Sequence, residues 1–132
     1  MLKKSIKYTD YNGMERTEEF YFNINKTEAI EMEYDSKEKL STMLETIVAA
    51  EDASAIIKTI KKIILKAYGE KSADGRRLIK SDELSIAFSQ SEAFNVLFYE
   101  LVTNAELAAD FFNKIIEEVP NTQSNIPAPA NA

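Results

Sequence analysis

Ala53-Ser54-Ala55-Ile56-Ile57-Lys58-Thr59-Ile60-Lys61-Lys62-Ile63-Ile64-Leu65-Lys66-Ala67, followed at once by Tyr68-Gly69, is the stretch whose reading decides the fold. Ile56, Ile60, Ile63, Ile64 and Ala67 fall at helical spacing, and Ile57 and Tyr68 widen the apolar stripe. Lys58, Lys61, Lys62 and Lys66 take the opposite side. The pattern predicts an amphipathic helix that Asp52 caps. Gly69 suits the left-handed residue after a helix end, and Lys66 lies in the last turn, where a cation complements the helix dipole.

Upstream of this helix, Ser36 is a second candidate cap, opening a helix in which Leu40, Met43, Leu44, Ile47 and Val48 keep the same periodicity. Before that, Asn25 or Thr27 caps a short helix from about residue 28 to 34, with Glu28, Glu31 and Glu33 near its start, where carboxylates suit the dipole. The pattern then changes period. Residues 4–9 alternate Ile6 and Tyr8 with polar neighbours, and residues 16–24 alternate Phe20, Phe22 and Ile24 with Glu19, Tyr21 and Asn23. Between them Asp10-Tyr11-Asn12-Gly13 carries an Asn-Gly turn signal, so a β-hairpin is expected over residues 1–24. Two strands alone are marginal, and the aromatic stripe needs helices or another chain's strands to cover it.

Downstream, residues 70–81 invite comparison with a calcium-binding helix-loop-helix. Aligning Gly75 with the sixth position of such a loop puts Glu70, Ser72 and Asp74 at positions one, three and five, but Ser81 where the bidentate Glu is required. The segment is therefore read as an Asp-Gly turn leading into an extended piece over residues 77–80. Ser81 then caps a helix over residues 82–88, with Leu84, Ala87 and Phe88 on one face. Ser91 opens residues 92–103, with Phe94, Leu97, Phe98, Leu101 and Val102. Asn104 caps a last helix over residues 105–119, with Leu107, Ala108, Phe111, Phe112, Ile115 and Val119 on one broad side. Phe112 and Ile116 widen that stripe, either to pack on the hairpin or to form a partner groove. Pro120 ends the helix, and residues 120–132, with Pro127 and Pro129, read as a flexible tail.

The expected fold is mainly α, of the α+β class: an N-terminal β-hairpin followed by a bundle of about five to six short helices in one domain, residues 1–119, with a disordered C-terminal tail. A chain of 132 residues with 45% apolar content, three Gly and three Pro can build such a core. There is no Cys and no His, which excludes disulfides, thiolate zinc sites, histidine metal sites and His-based triads. No glycine-rich phosphate loop or nucleophile elbow accompanies Ser72, Ser81 and Ser91, and helix capping explains two of the three. The chain is expected to be no enzyme and to hold no cofactor and no metal. The opening residues lack an apolar run for a signal peptide, and no window approaches a membrane span, so no membrane association is expected and the chain is placed in the cytoplasm.

Charge carries the remaining signal. Residues 58–80 hold eight basic residues against Glu70 and Asp74, in a chain of net charge −6. One reading is a solvated helix face and loop; the other is a basic surface, with Lys58, Lys61, Lys62, Lys66, Arg76 and Arg77, that meets an acidic partner or another copy of the chain. Nucleic acid is not expected, because the net charge repels phosphate and no binding motif accompanies the basic run.

Four stretches resemble the tail assembly chaperones of long-tailed bacteriophages infecting Gram-positive bacteria. These are Ile6-Lys7-Tyr8-Thr9-Asp10-Tyr11-Asn12-Gly13 with Arg16-Thr17-Glu18-Glu19-Phe20-Tyr21-Phe22-Asn23, then Ile63-Ile64-Leu65-Lys66-Ala67-Tyr68-Gly69, Asp74-Gly75-Arg76-Arg77-Leu78-Ile79-Lys80, and Ser91-Glu92-Ala93-Phe94. The resemblance implies a non-enzymatic protein of the host cytoplasm, absent from the mature virion. Its implied partners are the tape measure protein, which it keeps soluble, and the tail tube protein, which displaces it. For many relatives it also implies a longer frameshifted form. Two alternatives stay open: a structural virion or neck component, and an acidic adaptor for a host protein.

Overall fold

The computed structural model describes residues 1–36 and 53–117. The expected helix around Leu40–Val48, the Asp52 cap, Val119, Pro120 and the tail lie outside them.

Alternation at the start of the chain produces the hairpin. Strand β1 (Leu2–Thr9) pairs antiparallel with β2 (Glu15–Phe22), Leu2 opposite Phe22 and Thr9 opposite Glu15. Leu2, Ile6 and Tyr8 turn to the same side as Phe20 and Phe22, while Lys3, Ser5, Lys7 and Thr9 turn to solvent or to the other face. The connection is a three-residue loop, Tyr11-Asn12-Gly13. The Gly13 N–H donates to the Asp10 carbonyl (2.9 Å), and the Asp10 N–H donates to the Met14 carbonyl (2.8 Å). Gly13 takes φ 81°, the left-handed position of a hairpin bulge. The Asp10 carboxylate accepts from the Asn12 and Met14 N–H groups, and the adjacent Arg16 guanidinium holds its carboxyl below the usual range.

The sheet is larger than the hairpin. Strand β3 (Tyr68–Lys71) adds to β2, and β4 (Leu78–Ile79) to β3, giving a four-stranded antiparallel sheet in the order β1-β2-β3-β4. This corrects the sequence reading of Gly69. The long helix does stop at Ala67, but Gly69 is a strand residue opposite Tyr21, not a left-handed cap. The physical reason is close approach: a Cβ at Gly69 would lie 2.7 Å from Leu78 Cγ and 2.9 Å from the Ile79 carbonyl oxygen. The loop between β3 and β4 follows the Asp-Gly reading. Gly75 takes φ 75°, and the Asp74 carboxylate accepts from Ser72 Oγ (2.7 Å) and the Arg76 N–H (3.0 Å).

Five helices are described. Helix α1 (Lys26–Ser36) is capped by Asn25, whose Oδ1 accepts from the Glu28 N–H (2.8 Å) while Glu28 Oε1 accepts from the Asn25 N–H (3.0 Å). This reciprocal box starts the helix two residues earlier than expected. Ser36 is the last residue of α1, and the helix expected to follow it lies outside the described residues. Helix α2 (Ala53–Ala67) buries Ile60, Ile63, Ile64 and Ala67. Ser81, Ser91 and Asn104 cap α3 (Asp82–Ser89), α4 (Glu92–Val102) and α5 (Ala105–Ile115), each side-chain oxygen accepting from a first-turn N–H.

The helices bury one face of the sheet. At the junction Phe22 sits among Tyr68, Phe88 and Phe111, and the Tyr68 and Phe88 rings stack at 4.3 Å. Each such side chain stabilises by about 1.5–3 kcal/mol on leaving water. Burial, with Glu70 beside it, pushes the Tyr68 phenol up to about 12. Ala87, expected on the buried face of α3, is exposed.

Helix α5 ends at Ile115, four residues before the expected end. Ile116 turns extended (φ −89°, ψ 119°) and forms a parallel bridge with Ile24. The Ile24 N–H donates to the Ile115 carbonyl (2.7 Å), and the Glu117 N–H donates to the Ile24 carbonyl (2.9 Å). Pairing with a segment more than ninety residues away overrides helical propensity here. Asn23 Nδ2 donates to Glu117 Oε2 (2.8 Å) and the Lys26 N–H to Oε1 (3.3 Å), closing a clasp between residues 23–26 and 115–117.

Candidate partner-binding surface

With Ile60, Ile63 and Ile64 committed to the core, α2 must present its lysines outward. Lys58, Lys61, Lys62 and Lys66 are all exposed, and Ile57 beside them is 43% exposed. Among the described residues none of these four lysines has a carboxylate within ion-pair distance. The result is a cationic helix face with Ile57 at its N-terminal edge.

The other basic residues of the run are divided between different places. Lys71 lies over the Tyr21 ring, 5.3 Å from its centroid. Arg76 and Arg77 are exposed on the β3–β4 loop, held by the Ser72–Asp74 turn. Strand β3 and the turn after it lie between them and Lys66 along the chain. The sequence grouped six residues into one basic surface; the fold brings the four lysines together and sets the two arginines apart.

Lys80 is turned inward. Its Nζ donates to both Glu28 oxygens (2.7 and 2.8 Å) and to the Asn23 carbonyl, joining the end of β4, the start of α1 and the end of β2. Burial draws the Lys80 ammonium below its ordinary value, and Glu28 opposes that shift. Lys80→Ala should therefore cost about 2 kcal/mol in denaturant unfolding, because it leaves a half-buried carboxylate unpaired. A loss below about 0.5 kcal/mol would show that water replaces the ammonium without penalty. Counting charge along the chain missed this pair. The only sequence sign of it is Glu28 at the third position of a helix that Asn25 caps.

Phe112 and Ile116, read as either packing on the hairpin or lining a partner groove, lie towards the interior. Phe112 is fully buried, 5.7 Å from the Phe111 ring, and Ile116 is half-buried in its bridge with Ile24. Both pack within the chain, so neither forms a partner groove in this conformation. Leu107, assigned to the buried side of α5, is instead 44% exposed, and Tyr99, Val96 and Ile86 are exposed apolar positions that periodicity alone did not single out.

Among the described residues no helix is long and apolar enough to cross a membrane, and no group of three carboxylates is placed to hold a metal ion. No curated protein and no solved structure matches the chain. A family model does, however, match residues 1–124, nearly the whole chain. On that match the chain belongs to the phage tail assembly chaperone family, and its role is non-enzymatic.

Proposed function

We propose that this chaperone binds the tape measure protein in the cytoplasm of a Gram-positive host, keeps it soluble, and gives way as tail tube protein assembles around it. The observation that carries the reading is the solvent face of α2, where four lysines without ion-pair partners among the described residues follow the exposed Ile57. An extended amphipathic helix with acidic flanks would lay its apolar side on Ile57 and its carboxylates on Lys58, Lys61, Lys62 and Lys66. The net charge of −6 keeps a coated partner dispersed. Co-expression with the neighbouring tail genes tests this: soluble tape measure protein should co-purify with the tagged chain and become insoluble when the chain is omitted. Co-purification of neck or tail structural proteins alone, or of a host protein alone, would replace the reading with a structural or adaptor role.

The same face also suits an acidic surface on a second copy, giving a row of chaperones along one partner. Lys61→Glu with Lys62→Glu should weaken self-association about tenfold in sedimentation at low salt, by reversing two charges at one contact. Arg76→Glu with Arg77→Glu, on the separate loop, should change it less. Unchanged oligomer size in the lysine variant would remove the self-association reading.

A further inference from the structure

We infer that the free edge of β1 is a second docking site, which takes an extended acidic–apolar peptide segment by strand addition. It is distinct from the α2 face and does not depend on what binds there. β1 is the outer strand of the sheet, and among the described residues no strand pairs with its open side. The hairpin closes through the bond from the Asp10 N–H to Met14, so antiparallel alternation commits the backbone groups of Leu2, Lys4, Ile6 and Tyr8 to β2. Those of Lys3, Ser5 and Lys7 then point to the open side. An extended chain can replace the water on all of them in register, which a helix cannot, since it has already used its own backbone groups.

A cavity of about 260 Å³ lies beside this edge, with Leu2, Leu101, Leu107 and Phe111 among its lining. Two ion pairs stand at it, Lys4 with Glu100 (3.3 Å) and Lys114 with Asp110 (2.9 Å). Leu107 reaches solvent here, which gives its exposure a use. The cavity borders residues 2–5 of the edge, so an added strand would direct the side chain opposite Lys4 towards it, where Leu2, Leu107 and Phe111 favour an apolar group. The alternate side chains would stand opposite Lys3 and Lys7, four residues apart on the other face. Lys7 has no ion-pair partner among the described residues, and Lys3 has only the exposed Glu19 at 3.6 Å. Carboxylates at both positions are therefore favoured.

A second copy of β1 fits poorly, because antiparallel self-pairing about Ser5 sets Lys3 against Lys7 twice. The segment that fits reads acidic, apolar, any, apolar, acidic.

The probe is the capped peptide Glu-Val-Thr-Val-Glu, titrated into the full-length ¹⁵N-labelled chain and followed by NMR. We expect shifts confined to residues 2–7 and 101–114, with slowed exchange of the Lys3, Ser5 and Lys7 amides. Lys-Val-Thr-Val-Lys should bind about tenfold more weakly, as expected when two cross-strand charge pairs are reversed. Leu107→Glu, at a position already open to solvent, should abolish binding while leaving the unperturbed spectrum otherwise intact. Several results would overturn the inference: no shifts at millimolar peptide, shifts centred on α2, equal binding of the lysine peptide, or concentration-dependent changes at β1 without peptide, which would mean a second copy occupies the edge.

Discussion

Phe22→Ala should lower the unfolding free energy by about 4 kcal/mol and the melting temperature by about 15 °C. Phe22 has no exposed surface and lies at the point where sheet and helices meet, its ring 5.3 Å from Phe111, 5.8 Å from Phe88 and 6.0 Å from Tyr68. Those rings come from three separate elements, so they cannot all close on the vacancy, and the loss combines transfer free energy with a residual cavity. Phe22→Leu should cost about 1.5 kcal/mol, because it keeps most of the volume. Guanidinium unfolding followed by circular dichroism reads both. A Phe22→Ala loss below about 1.5 kcal/mol would mean that the core collapses freely there.

Gly69→Val should destabilise by about 3 kcal/mol, for a reason unrelated to backbone freedom. Gly69 has an ordinary strand conformation, unlike Gly13 and Gly75, but the atoms a side chain would meet belong to β4. Leu78 can swing aside; the Ile79 carbonyl oxygen at 2.9 Å is backbone and can move only if β4 leaves β3. Leu78→Ala combined with Gly69→Val should therefore recover less than half of the loss. Full recovery would show that the side chain alone sets the limit. Gly13→Val meets no atom within 4 Å and should cost only the strain of its positive φ, about 1–2 kcal/mol.

What the sequence displayed well were features set by near neighbours. The period of Ile60, Ile63, Ile64 and Ala67 is enough to orient α2, and Ser81, Ser91 and Asn104 cap where they were expected because a cap acts within one turn. The hairpin was legible for the same reason. Features that depend on distant segments were not. Tyr68 and Gly69 read as a helix end because nothing local shows that β2 will accept a third strand. Ile116 and Glu117 read as helix because Ile24, their partner, lies more than ninety residues earlier. At the surface, the periodicity correctly sent the α2 lysines outward. It could not show that Lys80 would turn in to Glu28, or that β3 would part Arg76 and Arg77 from the lysines.

The clasp between residues 23–26 and 115–117 bears on when this protein becomes complete. A ribosome makes Phe22 and Ile24 about ninety residues before it makes their partners Phe111 and Ile115 in α5. Until Ile115 and Glu117 have emerged, the Ile24 backbone lacks its bonds and Asn23 lacks its carboxylate. The hairpin can form early from its own turn, but its apolar side stays uncovered through most of translation. The closing step is therefore a long-range one that residues 115–117 perform on residues 23–26. A chaperone of this design is itself, while being made, the kind of exposed apolar chain that chaperones exist to protect.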